Sequence, residues 1–266
     1  MRGSDERPDK VAKSADAFLS VRKLRREFGG VVAVSDASFD VENGRITVLI
    51  GPNGAGKSTV LNVIAGAMAP TAGSVLLDGR NIAGLPAHSV AHLGVIRTFQ
   101  LASEFPHMTV MENLMVAPPR QIGEALWSPL RGKRLWRRQE EELVDRARPL
   151  LIRFGLADKE DEYAANLSGG QKRLLEIARA LMAEPRLLLI DEPMAGVHPS
   201  MVERIEGHLM DLRSQGLSIL MVEHEFDVVE RISDRVIVMS RGEVISTGTM
   251  SEIRSSQLVV DAYISG

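Results

Sequence analysis

The segment GPNGAGKST, residues 51–59, has the composition of a loop that surrounds the phosphates of a nucleotide. Glycines allow backbone N–H groups to curl around a di- or triphosphate, and a helix that follows adds the positive end of its dipole. Lys57 would reach the outer phosphates and the Ser58 hydroxyl would face Mg²⁺. A preceding apolar strand, Arg45–Ile50, and a following helical pattern favour a phosphate loop over a chance glycine-rich turn. The predicted nucleotide-binding residues of this loop are Gly51, Pro52, Asn53, Gly54, Ala55, Gly56, Lys57, Ser58 and Thr59.

Two adjacent carboxylates end another apolar strand, in the segment LLLIDEP at residues 187–193. Ligands of open α/β sheets bind at the carboxyl ends of the strands. Asp191 is suited to the Mg²⁺ side of such a site, usually through a water, and Glu192 to polarising the attacking water as general base. An acidic pair at the end of a strand is by itself ordinary. Beside a phosphate loop it predicts nucleotide hydrolysis.

Two more polar side chains follow predicted strands. His224 comes directly after LSILMVE, and its neutral imidazole could hydrogen bond to a γ-phosphate or to the carboxylate that orients the water. Gln100 ends GVIRTFQ, where it could contact the metal shell and move with the helices that follow. An isolated histidine or glutamine at a strand end is more often solvated, so their position in the order of motifs is the argument for function.

A second anion-binding pattern lies in NLSGGQKRLLEIARAL, residues 166–181. Ser168, Gly169 and Gly170 are typical of a tight turn that opens into an amphipathic helix from Gln171. Such a turn points backbone N–H groups outward and can hold an anion. A chain that already has a phosphate loop has no evident need for another.

The composition is ordinary for a globular chain and excludes several kinds of chemistry. The 266 residues include no cysteine, so disulfides, thiolate nucleophiles and Cys-ligated metal sites are excluded. The net charge of −3 gives no reason to expect nucleic acid as a partner. No apolar run approaches the roughly 18 residues that cross a bilayer, and residues 1–16 lack the apolar centre of a secretion signal. We therefore expect a disordered lead-in and a cytoplasmic chain that works at a membrane only from its surface.

Strands alternate with helices along much of the chain, which indicates an α/β sheet with right-handed crossovers. Gly29-Gly30 between Ala17–Phe28 and Val31–Val41 predicts an antiparallel hairpin, and RVIVMS with EVISTG predicts another. In the middle the pattern is helical, with an irregular stretch up to Arg138 and a helix over Gln139–Phe154. The predicted units are a lead-in of residues 1–16, a nucleotide-binding core of residues 17–101 and 184–250, an inserted helical subdomain of residues 102–183, and a C-terminal helical tail of residues 251–266.

Taken in order, these motifs resemble the ATP-binding subunit of an ABC transporter. The phosphate loop, Gln100, LSGGQ at residues 167–171, LLLIDEP and His224 have that family's order and approximate spacing, over nearly the whole chain after about residue 17. IRTFQ, AGVHP and the ending EIRSSQLVVDAYIS resemble the branch that serves branched-chain amino acid uptake. The resemblance implies a P-loop NTPase core of ABC type, with a mixed sheet, an antiparallel β hairpin and an inserted helical subdomain.

The resemblance also implies a reason for two phosphate-binding patterns. In this family two ATPase subunits face head to tail, and the LSGGQ of one closes on the γ-phosphate held by the other. Ser168, Gly169, Gly170 and Gln171 would then bind the partner's nucleotide. Phe28 matches the position on which adenine stacks, with a strand-end core aromatic as the alternative. The implied cofactors are ATP and Mg²⁺. The implied metal-side residues are Ser58, Gln100 and Asp191, and the implied catalytic residues are Lys57, Gln100, Glu192 and His224.

The implied function is that of the ATP-hydrolysing subunit of an importer for branched-chain or other hydrophobic amino acids. Its partners would be transmembrane permease subunits, a second ATPase subunit, identical or paralogous, and, indirectly, a periplasmic or extracellular solute-binding protein, with no nucleic acid. It would lie peripherally on the cytoplasmic face of the inner membrane. Two alternatives stay open, an ATPase of lipopolysaccharide export and a non-transport ABC ATPase that acts on a soluble assembly scaffold.

Two features are not explained by the resemblance. His198 stands where the loop after LLLIDEP usually carries an aspartate, so no role is carried over to it. The basic segment Arg120–Arg138, which includes Trp127 and Trp136, is interpreted either as a solvated loop or as a contact with the membrane surface or a permease.

Overall fold

The computed structural model describes residues 17–98, 105–118 and 133–264. The lead-in of residues 1–16, Gln100 and most of the segment Arg120–Arg138 lie outside these described residues. Within them, ten strands form one sheet in the order β5-β4-β1-β2-β10-β9-β3-β8-β7-β6. The strands are β1 (Ala17–Phe28), β2 (Val31–Glu42), β3 (Ile46–Ile50), β4 (Ala72–Leu77), β5 (Arg80–Asn81), β6 (Val95–Arg97), β7 (Leu187–Asp191), β8 (Ser218–Val222), β9 (Arg235–Ser240) and β10 (Glu243–Gly248).

The sheet is mixed, which confirms the predicted fold class. β1 pairs antiparallel with both β2 and β4, and β9 pairs antiparallel with β10. β6, β7, β8, β3 and β9 are parallel neighbours. Gly29 and Gly30 both have positive φ, as the tight connection between β1 and β2 requires.

The central parallel strands are buried on both faces. Every residue of β3, β7 and β8 is buried. Successive residues of β7 alternate between two hydrophobic clusters, one on each face of the sheet: Leu188 and Ile190 lie in one cluster, and Leu187 and Leu189 lie in the other. Because neither face is solvated, these strands need continuous apolar runs, as parallel sheets covered by helices require.

Helices cover both faces of the sheet. In the described part of the chain they are α1 (Lys57–Ile64), α2 (Ala87–His92), α3 (Val110–Met115), α4 (Lys133–Arg153), α5 (Gly169–Leu181), α6 (Pro199–Ser214), α7 (Phe226–Ile232), α8 (Met250–Arg254) and α9 (Gln257–Ile264). α3 packs on α4 and α5, and the buried residues of these three helices share a cluster with α6 and β3. None of the helices described is long and apolar enough to span a membrane.

Two helix starts differ from the sequence prediction. α4 begins at Lys133 rather than Gln139, because the Lys, Arg and Leu residues of the added segment are good helix formers and charge alone does not end a helix. Arg138 also forms an ion pair with Glu142, 3.1 Å away and one helical turn further along α4, and this pair stabilises the helix before Gln139. α5 begins at Gly169 rather than Gln171. The short elements β5 and α2 were not predicted.

Candidate functional site

Three parallel strands deliver the predicted site residues to one edge of the sheet. Leu49 of β3 and Asp191 of β7 both lie opposite Val222 of β8, so the three strands end at the same level. The phosphate loop at 51–59 follows β3, Glu192 follows β7, and the loop that carries His224 follows β8. Ligands of parallel sheets bind at this edge, where the strands end and loops begin.

The phosphate loop requires a glycine at Gly56, directly before α1, because the backbone there comes too close to a neighbouring strand for any side chain. Gly56 has φ +97°, and a Cβ there would lie 2.5 Å from the carbonyl oxygen of Ala33. Gly56 is also the N-cap of α1, and none of the described side chains caps that helix. The N–H groups of the first turn, which includes Ser58, are therefore left for a bound anion.

Lys57 is buried in the loop and bonds to its backbone. Its ammonium Nζ donates to the carbonyl oxygens of Gly51, at 2.8 Å, and Pro52, at 2.9 Å. Burial lowers the pKa of Lys57, and the nearby charges of Glu192 and Asp191 raise it. The ammonium is thus held within the loop, next to the two carboxylates, by contacts that a phosphate could replace.

Glu192 and His224 form a side-chain pair. Nε2 of the histidine is 2.7 Å from Oε1 of the glutamate, and both side chains remain about one-third exposed. Glu192 has φ +49°, a left-handed conformation that costs a non-glycine residue on the order of 1 kcal/mol. The backbone is held there by a bond from its N–H to the oxygen of Val222, 3.0 Å, and by the N–H of Ala195, which donates to its carbonyl at 3.2 Å. This arrangement presents a carboxylate to solvent with an imidazole against it.

Asp191 is buried at the end of β7, and only one of its oxygens is bonded. Nη2 of Arg97 donates to Oδ2 at 3.1 Å, and the same guanidinium donates to the side-chain oxygen of Asn62. Oδ1 has no hydrogen-bond partner among the residues that the structure describes. A buried carboxylate oxygen without a partner fits a hard cation or its water, so the residues present suit Mg²⁺.

The LSGGQ segment forms the start of α5. Ser168 is its N-cap: Oγ accepts from the N–H of Gln171 at 3.3 Å, and Oε1 of that glutamine accepts from the N–H of Ser168 at 2.9 Å. Gly169 and Gly170 are the first helical residues instead of a turn, since this reciprocal capping starts the helix at once. A Cβ on Gly170 would lie 2.3 Å from Cγ of Met201, so α5 and α6 approach closely there. α5 packs on α3 and α6, and Ser168 and Gly169 are exposed.

Phe28 lies at the end of β1 with 40% of its surface exposed, which argues against the core-aromatic alternative. The guanidinium of Arg26 lies 4.6 Å from the ring centroid.

His198, which had no predicted role, is the N-cap of α6: its Nδ1 accepts from the N–H of Ser200 at 3.4 Å. The predicted contact of Gln100 lies outside the described residues.

Three residues near the site were not predicted. Arg97 holds Asp191, and Glu223 is a carboxyl group buried directly before His224. Tyr263 of α9 packs edge-on against Phe226, with ring centroids 5.2 Å apart. Burial raises the pKa of Tyr263 to about 12, against the effect of a hydrogen bond with the Gly51 backbone. An arginine or glutamate at the end of an apolar strand was the available signal for the first two.

The sequence of this chain matches the family model and the relatives of one protein family. Residues 34–195 match the sequence model of the family described as ABC transporter. The chain is 40% identical over 248 residues to the high-affinity branched-chain amino acid transport ATP-binding protein LivG of Salmonella typhimurium, over 93% of this chain and 97% of the relative. With the same coverage, it is 39% identical to the high-affinity branched-chain amino acid transport ATP-binding protein BraF of Pseudomonas aeruginosa.

Solved structures are similar over the same length. A nucleotide-free ATP-binding cassette from an ABC transporter matches with a TM-score of 0.82 at 35% identity, covering 93% of this chain and 98% of that one. The ADP conformation of an ATP-binding cassette of an ABC transporter matches with a TM-score of 0.82 at 35% identity, covering 94% and 99%. Nucleotide is therefore a ligand of a chain with this fold and a related sequence.

Proposed function

Because this chain belongs to the ABC transporter family, whose ATP-binding cassettes power transport, we propose that it hydrolyses ATP to drive import of branched-chain amino acids through separate membrane permease subunits. The observation that carries the chemistry is the Glu192–His224 pair, 2.7 Å apart, at the sheet edge that bears the phosphate loop. The solute class is supported by the printed function of LivG and BraF.

ATP binding would begin at the phosphate loop. N–H groups of the loop and of the first turn of α1 donate to the β- and γ-phosphates, and Lys57 exchanges its two loop carbonyls for phosphate oxygens. The exposed ring of Phe28 offers a face for adenine. Asp191, Ser58 and Gln100 would hold Mg²⁺, which neutralises phosphate charge when bound.

Hydrolysis would use the Glu192 carboxylate and the His224 imidazole together. Glu192 accepts a proton from a water whose oxygen attacks the γ-phosphorus, and the bond to the β–γ bridging oxygen breaks to leave ADP. His224 donates from Nε2 to the carboxylate and holds it in place. Charge on the γ-phosphoryl oxygens is stabilised by the Lys57 ammonium.

The start of α5 would complete the site of a second ATPase subunit. Ser168 and Gly169 are exposed at the positive end of a helix, a fitting place to meet the γ-phosphate held by another copy or a paralogue. Gln171 caps the same turn. ATP would thus close the pair, and hydrolysis would reopen it.

The permease would contact the side of the chain where the core meets the helices. A cleft of about 660 Å³ lies there. Its lining is mostly apolar and includes Phe105 and Val116, with the polar side chains of Asn62, Arg97 and Arg179 among them. We propose the division into a core of residues 17–101 and 184–250 and a helical subdomain of residues 102–183 on this basis. The chain would be peripheral, at the cytoplasmic face of the inner membrane, with a solute-binding protein as an indirect partner.

Transport is tested by replacing the gene with the Glu192→Gln variant in the source cell. Uptake of labelled leucine, isoleucine and valine should fall to the level of a deletion strain and return with the wild-type gene. Glu184→Gln changes an exposed carboxylate that lies outside every motif, so it is the matched control and should leave uptake unchanged. Normal uptake with a defect in lipopolysaccharide export, or in a soluble assembly, would contradict the proposal.

A further inference from the structure

The guanidinium of Arg97 bonds to two different elements of the proposed site. Its Nη2 donates to Oδ2 of Asp191 at 3.1 Å, and its Nη1 donates to the side-chain oxygen of Asn62. Asp191 ends β7, and Asn62 lies in α1, the helix that begins in the phosphate loop. One side chain of β6 thus joins the carboxylate proposed for Mg²⁺ to the helix of the phosphate loop.

The register of the sheet brings these side chains together. Arg97 lies opposite Leu189 of β7, and Asp191 lies two residues further along that strand. Residues two apart on a strand share a face of the sheet, so Arg97 and Asp191 are diagonal neighbours. Leu189 belongs to the same hydrophobic cluster as Val60 and Leu61 of α1, so α1 covers this face. The three-residue contact is therefore set by the fold.

The Asp191 carboxylate is bonded through one oxygen only. Its side chain is 1% exposed and that of Arg97 is 17% exposed. A buried carboxylate is costly unless it is paired and hydrogen bonded, and Arg97 supplies both for Oδ2. Oδ1 is buried and accepts no hydrogen bond from the described part of the chain. The carboxylate is thus fixed by one oxygen, and the other oxygen is left for a hard cation or its water.

A guanidinium is suited to fixing the orientation of a carboxylate. It is planar, and its N–H groups point in fixed directions, so bonds to two acceptors on separate elements hold its plane. Metal ligands in proteins are commonly oriented by such outer partners. Arg97 and Asn62 also line the cleft proposed for the permease, so a contact with the permease is the competing explanation for this arginine.

We infer that Arg97 is a positioning residue for metal binding: anchored by Asn62, it orients Asp191 so that Oδ1 is presented to Mg²⁺. The inference deepens the proposed function and rests on the metal-side role assigned there to Asp191. Arg97 touches neither the ion nor the nucleotide in this scheme. It acts through the carboxylate.

The test measures metal binding without turnover. Mn²⁺, which suits the same oxygen ligands as Mg²⁺, is titrated into the purified full chain with a non-hydrolysable ATP analogue, and the free ion is followed by electron paramagnetic resonance against the analogue alone. Arg97→Met removes the guanidinium and should raise the Kd for Mn²⁺ by about 10-fold or more. The Kd for the analogue in EDTA should stay within about 3-fold of wild type, because the phosphate loop is unchanged.

The matched control is Arg186→Met. Arg186 lies directly before β7, at the other end of the strand from Asp191, and its ion pair with Asp78 is exposed. This variant should leave the Kd for Mn²⁺ within about 2-fold of wild type. If Arg97→Met does not fold, Arg97→Lys replaces it. The lysine keeps the charge but has no planar fork for two acceptors, so the Kd should still rise by about 3-fold or more.

A double-mutant cycle tests the anchor. Asn62→Ala leaves the ion pair of Arg97 with Asp191 in place but frees the guanidinium, and it should raise the Kd for Mn²⁺ by about 3-fold or more. Added to Arg97→Met, it should change the Kd by less than about 2-fold, because Asn62 acts through Arg97. Full multiplication of the two losses would overturn the inference.

Asp191→Asn separates this inference from the proposed function. Its Kd for Mn²⁺ should rise, since the amide removes the charge that binds the cation. A raised Kd in Asp191→Asn with a normal Kd in Arg97→Met would overturn the inference alone, and is the result expected if Arg97 serves only the permease. A normal Kd in Asp191→Asn would instead show that the proposed metal role of this carboxylate is wrong, and the inference would fall with it.

Discussion

Replacing Glu223 by glutamine should stabilise the protein at alkaline pH and lose most of that benefit in acid. The pKa of Glu223 is about 7 in the folded chain, against a value of 4.5 for an unperturbed glutamate. Between these values the folded state binds the proton more strongly than the unfolded state, so stability falls as pH rises. The cause is the cost of burying the ionised carboxylate. Glutamine has no ionised form, so the variant does not have this cost.

The magnitude follows from the two pKa values. Linkage gives a destabilisation of about 1 kcal/mol at pH 5 and about 3 kcal/mol at pH 8, since each pKa unit corresponds to about 1.4 kcal/mol. The free energy of unfolding of Glu223→Gln, relative to wild type, should therefore increase by about 2 kcal/mol between pH 5 and pH 8. Other titrating groups are common to both proteins and cancel in this difference.

Urea denaturation of both proteins at pH 5, 6.5 and 8, followed by circular dichroism, measures this difference. Glu141→Gln is the control, because that carboxylate is exposed on α4 and is not among the charges that act on Glu223. A constant difference between Glu223→Gln and wild type across the pH range would refute the reasoning. It would mean that the buried carboxyl is ionised at little cost, or is not buried in solution.

Two further predictions concern ATP itself. Lys57→Ala should weaken ATP binding about 10- to 100-fold in a direct titration, since charge-assisted hydrogen bonds contribute about 1.5–3 kcal/mol; affinity within about 2-fold of wild type would contradict the role of Lys57. Ser168→Arg should block turnover while ATP binding to the monomer stays normal, because in the proposed dimer this exposed residue would contact only the partner's nucleotide. Weaker binding to the monomer would show that the two phosphate-binding patterns do not act across subunits.

The parts of the site that were predictable are those set by local sequence. The strand, glycine loop and helix around Lys57 are contiguous, so their pattern specifies the loop without knowledge of the rest. The position of Asp191, Glu192 and His224 at one edge of the sheet was likewise predictable, because each lies at or just beyond the end of an apolar run and parallel strands end together.

The missing parts depend on register and on contacts between distant segments. Arg97 bonds Asp191 only because β6 lies next to β7, and Arg97 pairs with Leu189. Glu223 is buried where the loop after β7 lies against the end of β8, joined by the bond from the N–H of Glu192 to the oxygen of Val222, and neither segment's sequence reveals this. The helical start at Gly169 was missed for a different reason: two glycines suggest a turn, but reciprocal capping of Ser168 by its own helix overrides their propensity.

The most direct test of the account is the Glu192→Gln variant in the purified chain. The amide keeps the shape of the side chain and its contact with His224 but cannot accept a proton from water. Turnover should fall by roughly 10²-fold or more while ATP affinity stays close to wild type, and ATP should hold the variant as a closed dimer in size-exclusion chromatography. Near-normal hydrolysis by Glu192→Gln would contradict the central claim that this carboxylate activates the attacking water.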